Sequence, residues 1–135
     1  MVQLFRSLVC VSTALYVVFV VSYFWAAELF GTDVAAVLAH SGRGASVTFP
    51  EYTWLVLLGA WILVAVGLLL FVRWSREAFV ALSVFSIFST ALGGIQINAG
   101  PQEALKEVIA LADGAIVFMA YFSSVARRFR RAPNQ

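Results

Sequence analysis

The sequence predicts an all-α membrane protein, a bundle of four transmembrane helices. Two observations carry this. Of 135 residues, 62% are hydrophobic and 12% charged, with a mean hydropathy of +0.93, where soluble domains average nearer 45–50% apolar and about 25% charged. The excess is also gathered into four runs bounded by charges. No charge falls in residues 7–27, 52–72 or 78–102, and Val108–Ala126 carries only Asp113. A helix needs about 20 mostly apolar residues to cross a bilayer, and each run supplies them. This balance argues against a soluble enzyme, a nucleic-acid-binding domain and a sizeable extramembrane domain. One domain over 1–135 is expected, with spans at about 4–27, 49–72, 76–99 and 101–126.

The first span is rich in Val, Phe and Tyr and ends in Tyr23, Phe24 and Trp25, rings that favour the headgroup layer. Its length exceeds a signal-peptide core, and Trp25 is a poor residue before a cleavage point, so it reads as retained. After Gly31, Thr32 or Asp33 is the expected N-cap of a short surface helix through Val34, Val37 and Leu38, closed by Ser41-Gly42-Arg43-Gly44.

Thr48-Phe49-Pro50-Glu51 reads as a capping box opening the second span. The turn Arg73-Trp74-Ser75-Arg76 is short enough to make spans two and three antiparallel neighbours, with Ser75 as the cap of span three. Span three carries Ser83, Ser86, Thr90, Gly93 and Gly94 at helical spacing, and span four carries Ala110 and Gly114. In lipid, faces of small residues mark close helix contact. Gly100-Pro101 divides the last two spans, and a continuous helix over 101–131 would be roughly 45 Å long.

Orientation follows from the cations. With the N-terminus inside, seven of the nine lie inside: Arg6, Arg73, Arg76, Arg127, Arg128, Arg130 and Arg131. Arg43 and Lys106 lie outside, with five of the seven acids, Glu28, Asp33, Glu51, Glu103 and Glu107. Lys and Arg accumulate in short cytoplasmic segments, so both termini are expected in the cytoplasm, of a bacterial inner membrane. The net charge of +2 is then a matter of topology and calls for no nucleic-acid partner. Arg127, Arg128, Arg130 and Arg131 read first as orientation determinants complementing the helix dipole, and second as contacts for anionic lipid or a partner.

Asp113 is the residue to single out, because a carboxylate within a span must be paired or solvated. Counting outward from a loop centre near residue 104 sets it level with Gln96 and Asn98, predicting a polar cluster of these three. Two readings follow: a hydrogen-bond cluster locking spans three and four, or a cation-binding site on a transport path. The first is preferred, because Asp113 counts as nearer the boundary than mid-membrane and no second intramembrane charge faces it.

No catalytic residue and no metal or cofactor site is expected. Cys10 is the only cysteine, which excludes a dithiol redox centre. His40, the only histidine, falls in an outer loop without metal-ligand spacing. The leading expectation is therefore a non-enzymatic accessory or scaffold subunit that packs against a membrane partner or itself. The alternative is an oligomeric small-solute or ion transporter or pore using Asp113.

Overall fold

A computed structural model describes residues 1–41, 43–46 and 52–130. It is helical, with no strand among the described residues. The elements are α1 (Val2–Phe24), α2 (Ala26–Phe30), α3 (Thr32–Leu38), α4 (Tyr52–Leu69), α5 (Arg73–Leu92), α6 (Gly100–Phe122) and α7 (Ala126–Arg130). Three helices, α1, α4 and α5, are long and apolar enough to cross a membrane. The chain is thus a helical membrane protein. A fourth long helix, α6, packs most extensively on α1, which also meets α4; α4 packs on α5, and α5 meets α6 more thinly.

α4, α5 and α6 each end short of the expected spans, and each of these ends has a local cause. α4 stops at Leu69 in a Schellman motif. The N–H of Val72 donates to Gly67 O (2.9 Å) and that of Phe71 to Leu68 O (3.1 Å). Phe71 occupies the left-handed position usually filled by glycine, at φ 57°. α5 then opens at Arg73 with Val72 as its cap. Ser75 is therefore not the cap: it lies fully buried inside the first turn, its hydroxyl donating to Val72 O at 2.6 Å. A Cβ on Gly67 would stand 2.7 Å from Ser75 Cβ, so the glycine lets the end of α4 touch the start of α5.

α5 ends at Leu92, well short of the expected Ala99. Gly93 caps it, and Gly94, at φ 74°, reverses the chain. The extended exit then runs beside the loop at residues 43–46. Ile95 N–H donates to Arg43 O (2.9 Å), and Ser46 N–H to Leu92 O (3.0 Å). Ser41 Oγ also accepts from Ile97 N–H at 3.0 Å. A Cβ at Gly94 would lie 2.5 Å from Ala45 N and Arg43 O, so this crossing demands glycine twice over.

The last helix is not continuous to Arg131. α6 stops at Phe122 because Ser123 Oγ donates back to Met119 O (2.6 Å) and accepts Val125 N–H (3.1 Å), an alternative to helix bonding. The chain then turns through the buried Val125 into α7, where Ala126 and Phe129 are buried and Arg127 and Arg128 exposed. The short helix expected after Gly31 is α3, capped by Gly31 and not by Thr32 or Asp33. The capping box at Thr48–Glu51, Gly42 of the loop and Arg131 lie outside the described residues.

The core gathers where α1 begins, α4 ends, α5 begins and α6 ends. Phe5, Val9, Leu68, Phe79, Ile116 and Phe129 are central to it. Phe71 packs on Phe5 with ring centroids 5.9 Å apart and on Phe129 at 5.3 Å. Arg6 lies over Phe71 (5.3 Å) and Arg76 over Tyr121 (4.9 Å), cations on aromatic faces at this basic end.

Candidate functional site

Polar side chains concentrate between α1 and α6, whose antiparallel packing brings residues about a hundred positions apart into contact. Ser12 donates to Asp113 Oδ1 at 2.7 Å. At the other end, Gln102 Nε2 donates to Ser22 Oγ at 3.0 Å, and Gln102 Oε1 accepts the N–H of Ala99 at 2.9 Å. Gln102 is fully buried. It thus satisfies the N-terminus of α6 and ties it to α1, while Ser22 donates its own proton to Phe19 O (2.7 Å). Tyr23 donates to Asn98 Oδ1, and Asn98 Nδ2 donates to Glu103 Oε2 at 2.7 Å. Glu103 also pairs with Lys106 at 3.3 Å; exposed as it is, that ion pair adds little stability.

Asp113 does not share a cluster with Gln96 and Asn98. Among the described residues no hydrogen bond joins them: Gln96 Nε2 donates to the nearby Gly93 O (3.1 Å), and Asn98 is held by Tyr23 and Glu103. The physical reason is the early end of α5. Residues 95–99 leave the helix and stay near the start of α6, whereas Asp113 lies thirteen residues past Gly100, about 20 Å down α6. The loop centre expected at residue 104 is already inside α6.

Asp113 therefore stands near the middle of its helix, the fourteenth residue of 23, opposite Ser12, the eleventh of 23 in α1. Around it the four long helices leave a small cleft, lined from α1 by Ser12, Thr13 and Tyr16, from α4 by Trp61 and from α5 by Phe79. Trp61 packs tilted on Tyr16 (5.2 Å) and edge-on to Phe79 (5.0 Å), walling one side. The space is about that of one water molecule. Ser12 is buried and Asp113 half-buried. Among the described residues the second carboxylate oxygen, Oδ2, accepts no hydrogen bond and no cation pairs with Asp113.

The residues expected on packing faces divide into two groups. Ser83 is half-buried on α5, and Ser86 and Thr90 are exposed, with Thr90 Oγ1 bonded back to Ser86 O at 2.9 Å. Ala110 and Gly114 are exposed on α6, and a Cβ at Gly114 would meet nothing within 4 Å. Gly93 and Gly94 belong instead to the turn after α5 and to the loop crossing. Arg127 and Arg128 project from α7, which Arg130 ends. His40 is exposed, its Nδ1 2.9 Å from Ala36 O, and among the described residues no three His, Cys, Asp or Glu converge as metal ligands.

Sequence reasoning passed over Ser12, Tyr16, Ser22 and Gln102. Ser12, Tyr16 and Ser22 were polar interruptions of an otherwise apolar span, and their spacing already set Ser12 and Tyr16 on one face. With this geometry in hand, comparison with known proteins adds no relative: no family model, no curated protein and no solved structure matches the chain.

Proposed function

We propose that this is a four-span integral membrane protein of a bacterial inner membrane, N-in and C-in, serving as a non-enzymatic accessory or scaffold subunit. α6 is the fourth span in this reading: its 23 residues extend about 35 Å, and beyond Glu107 only Asp113 is charged. The orientation is supported by Arg6, Arg73, Arg76, Arg127 and Arg128, which share the end where α7 packs. There they meet anionic headgroups. α3 lies along the outer surface, presenting Val34 and Val37 to the interface.

One observation carries the scaffold role. α5 is the least covered of the three apolar long helices, and its open side presents Ser86 and Thr90 between the bulky Phe85 and Ile87. Apolar burial gives no net drive in lipid, so a furrow of small hydroxyl residues between large ones is a seat for another helix. Ala110 and Gly114 offer a second one on α6. The occupant is a second copy or a membrane-protein partner. Native mass spectrometry of the protein released gently from its membrane tests this. Ser86→Leu and Thr90→Leu should dissociate the complex; a protein monomeric and partnerless before substitution sinks the reading.

A second reading, an oligomeric ion or small-solute transporter, is favoured by one observation: the carboxylate of Asp113 halfway along α6. Asp113→Asn keeps a hydrogen-bond acceptor for Ser12. Flux into vesicles that disappears in this variant, with assembly intact, selects the transporter; unchanged behaviour removes it.

A further inference from the structure

We propose that the cleft beside Asp113 binds one dehydrated monovalent cation of about the size of sodium. The site comes from the second reading above, but binding requires no transport. Four oxygen-bearing side chains border the space: Asp113 from α6, and Ser12, Thr13 and Tyr16 from α1. The hydroxyls of Ser12 and Thr13 commit their protons elsewhere, to Asp113 Oδ1 at 2.7 Å and to Val9 O at 2.8 Å. Their lone pairs remain available, as does Asp113 Oδ2.

Donor type, charge and size then narrow the ligand. The donors are oxygens, without the thiolate or imidazole that selects a transition metal, so the ion is a hard one. Among the described residues Asp113 is the only charged one lining the cleft. It neutralises one positive charge, whereas a divalent ion would keep an uncompensated charge between apolar helices. The space of about one water admits a bare alkali cation and shuts out an organic ammonium. Trp61 and Phe79, edge-on at 5.0 Å, line the same space from α4 and α5.

The test uses the full chain in lipid nanodiscs and the apolar carbodiimide dicyclohexylcarbodiimide, which adds a protonated carboxyl group within a membrane across its C=N bond. Labelling of Asp113 is followed by intact mass and peptide mapping. Sodium chloride at about ten times its dissociation constant should slow labelling about tenfold by mass action, while equal ionic strength of choline chloride should not. Ser12→Ala and Thr13→Ala should label normally but lose most of the sodium protection. Equal labelling in sodium and choline overturns the proposal.

Retention of radioactive sodium by the wild type, measured beside Asp113→Asn, tests the site even where labelling fails. Saturable retention lost in the variant supports the site; no saturable retention overturns it. Vesicle flux is measured separately, so binding without flux removes only the transporter reading.

Discussion

Gln102 and Ser22 meet across 3.0 Å in the same antiparallel register as Asp113 and Ser12. Ten residues separate the two serines along α1 and eleven separate Gln102 from Asp113 along α6, about 15 and 16 Å of helix. The two contacts are thus rungs of one ladder. Each joins positions that no local pattern relates, and between them they fix how far α6 slides along α1.

The upper rung predicts a specific loss. Gln102→Ala removes both the acceptor of Ala99 N–H and the donor to Ser22 at a fully buried position. Stability should fall by about 1–3 kcal/mol, the usual cost of stranding buried polar groups. Reversible unfolding in mixed micelles, followed by circular dichroism, measures it. A change below the error of that titration would show that water replaces the amide.

Two glycines of the crossing between residues 43–46 and 92–97 should respond differently to alanine. Gly94 combines φ 74° with backbone atoms 2.5 Å from its would-be Cβ, whereas Gly44, at φ 75°, has open space there. Gly44→Ala should cost only the left-handed conformation, about 1–2 kcal/mol. Gly94→Ala should in addition push the loop off residues 92–97. Trypsin cleavage after Arg43 reports it: fast in Gly94→Ala, close to wild type in Gly44→Ala.

A similar contrast holds within α4. Gly67→Ala drives a methyl into Ser75 Cβ, 2.7 Å away, and should destabilise the α4–α5 hairpin by about 1–3 kcal/mol. Gly59→Ala meets nothing within 4 Å and should be neutral or stabilising by up to about 1 kcal/mol, through helix propensity alone. Thermal unfolding of the two variants side by side decides it, and equal shifts would refute the contact.

Phe71 predicts an inverted order of substitutions. Its ring is held by Phe5, Phe129 and Arg6, while its backbone is left-handed at φ 57°. Both Phe71→Ala and Phe71→Gly lose the ring, but glycine also sheds the conformational cost. Phe71→Gly should therefore be the more stable of the two by about 1 kcal/mol, although glycine is ordinarily the poorer residue beside a helix. The reverse order would mean that the Schellman turn is not what holds this corner.

The apolar runs were legible in the sequence because length and charge exclusion act locally: α1, α4 and α5 lie where the runs lie. Their ends were not. Serines and glycines that read as a stripe on one long helix proved to be of two kinds, Ser83, Ser86 and Thr90 on α5, and Gly93 and Gly94 terminating it. That one shift of boundary moved Gln96 and Asn98 away from Asp113. Ser123 likewise carried the break before α7, through hydroxyl bonds that composition does not display. Asp113 stood out because a charge in an apolar run is conspicuous. Its partner Ser12, 101 positions away, could emerge only from the packing of α1 on α6.

The unequal distribution of apolar burial has a mechanical consequence. Phe5, Leu68, Phe79, Ile116 and Phe129 make the basic end a solid rivet, while toward the acidic end α1 and α6 are fastened by Ser22, Gln102, Tyr23 and Asn98. Hydrogen bonds switch partners over fractions of an ångström, whereas interlocked rings do not. The two ends of the α1–α6 pair are therefore held by different means, the basic end by packed rings and the other by hydrogen bonds whose geometry sets the register.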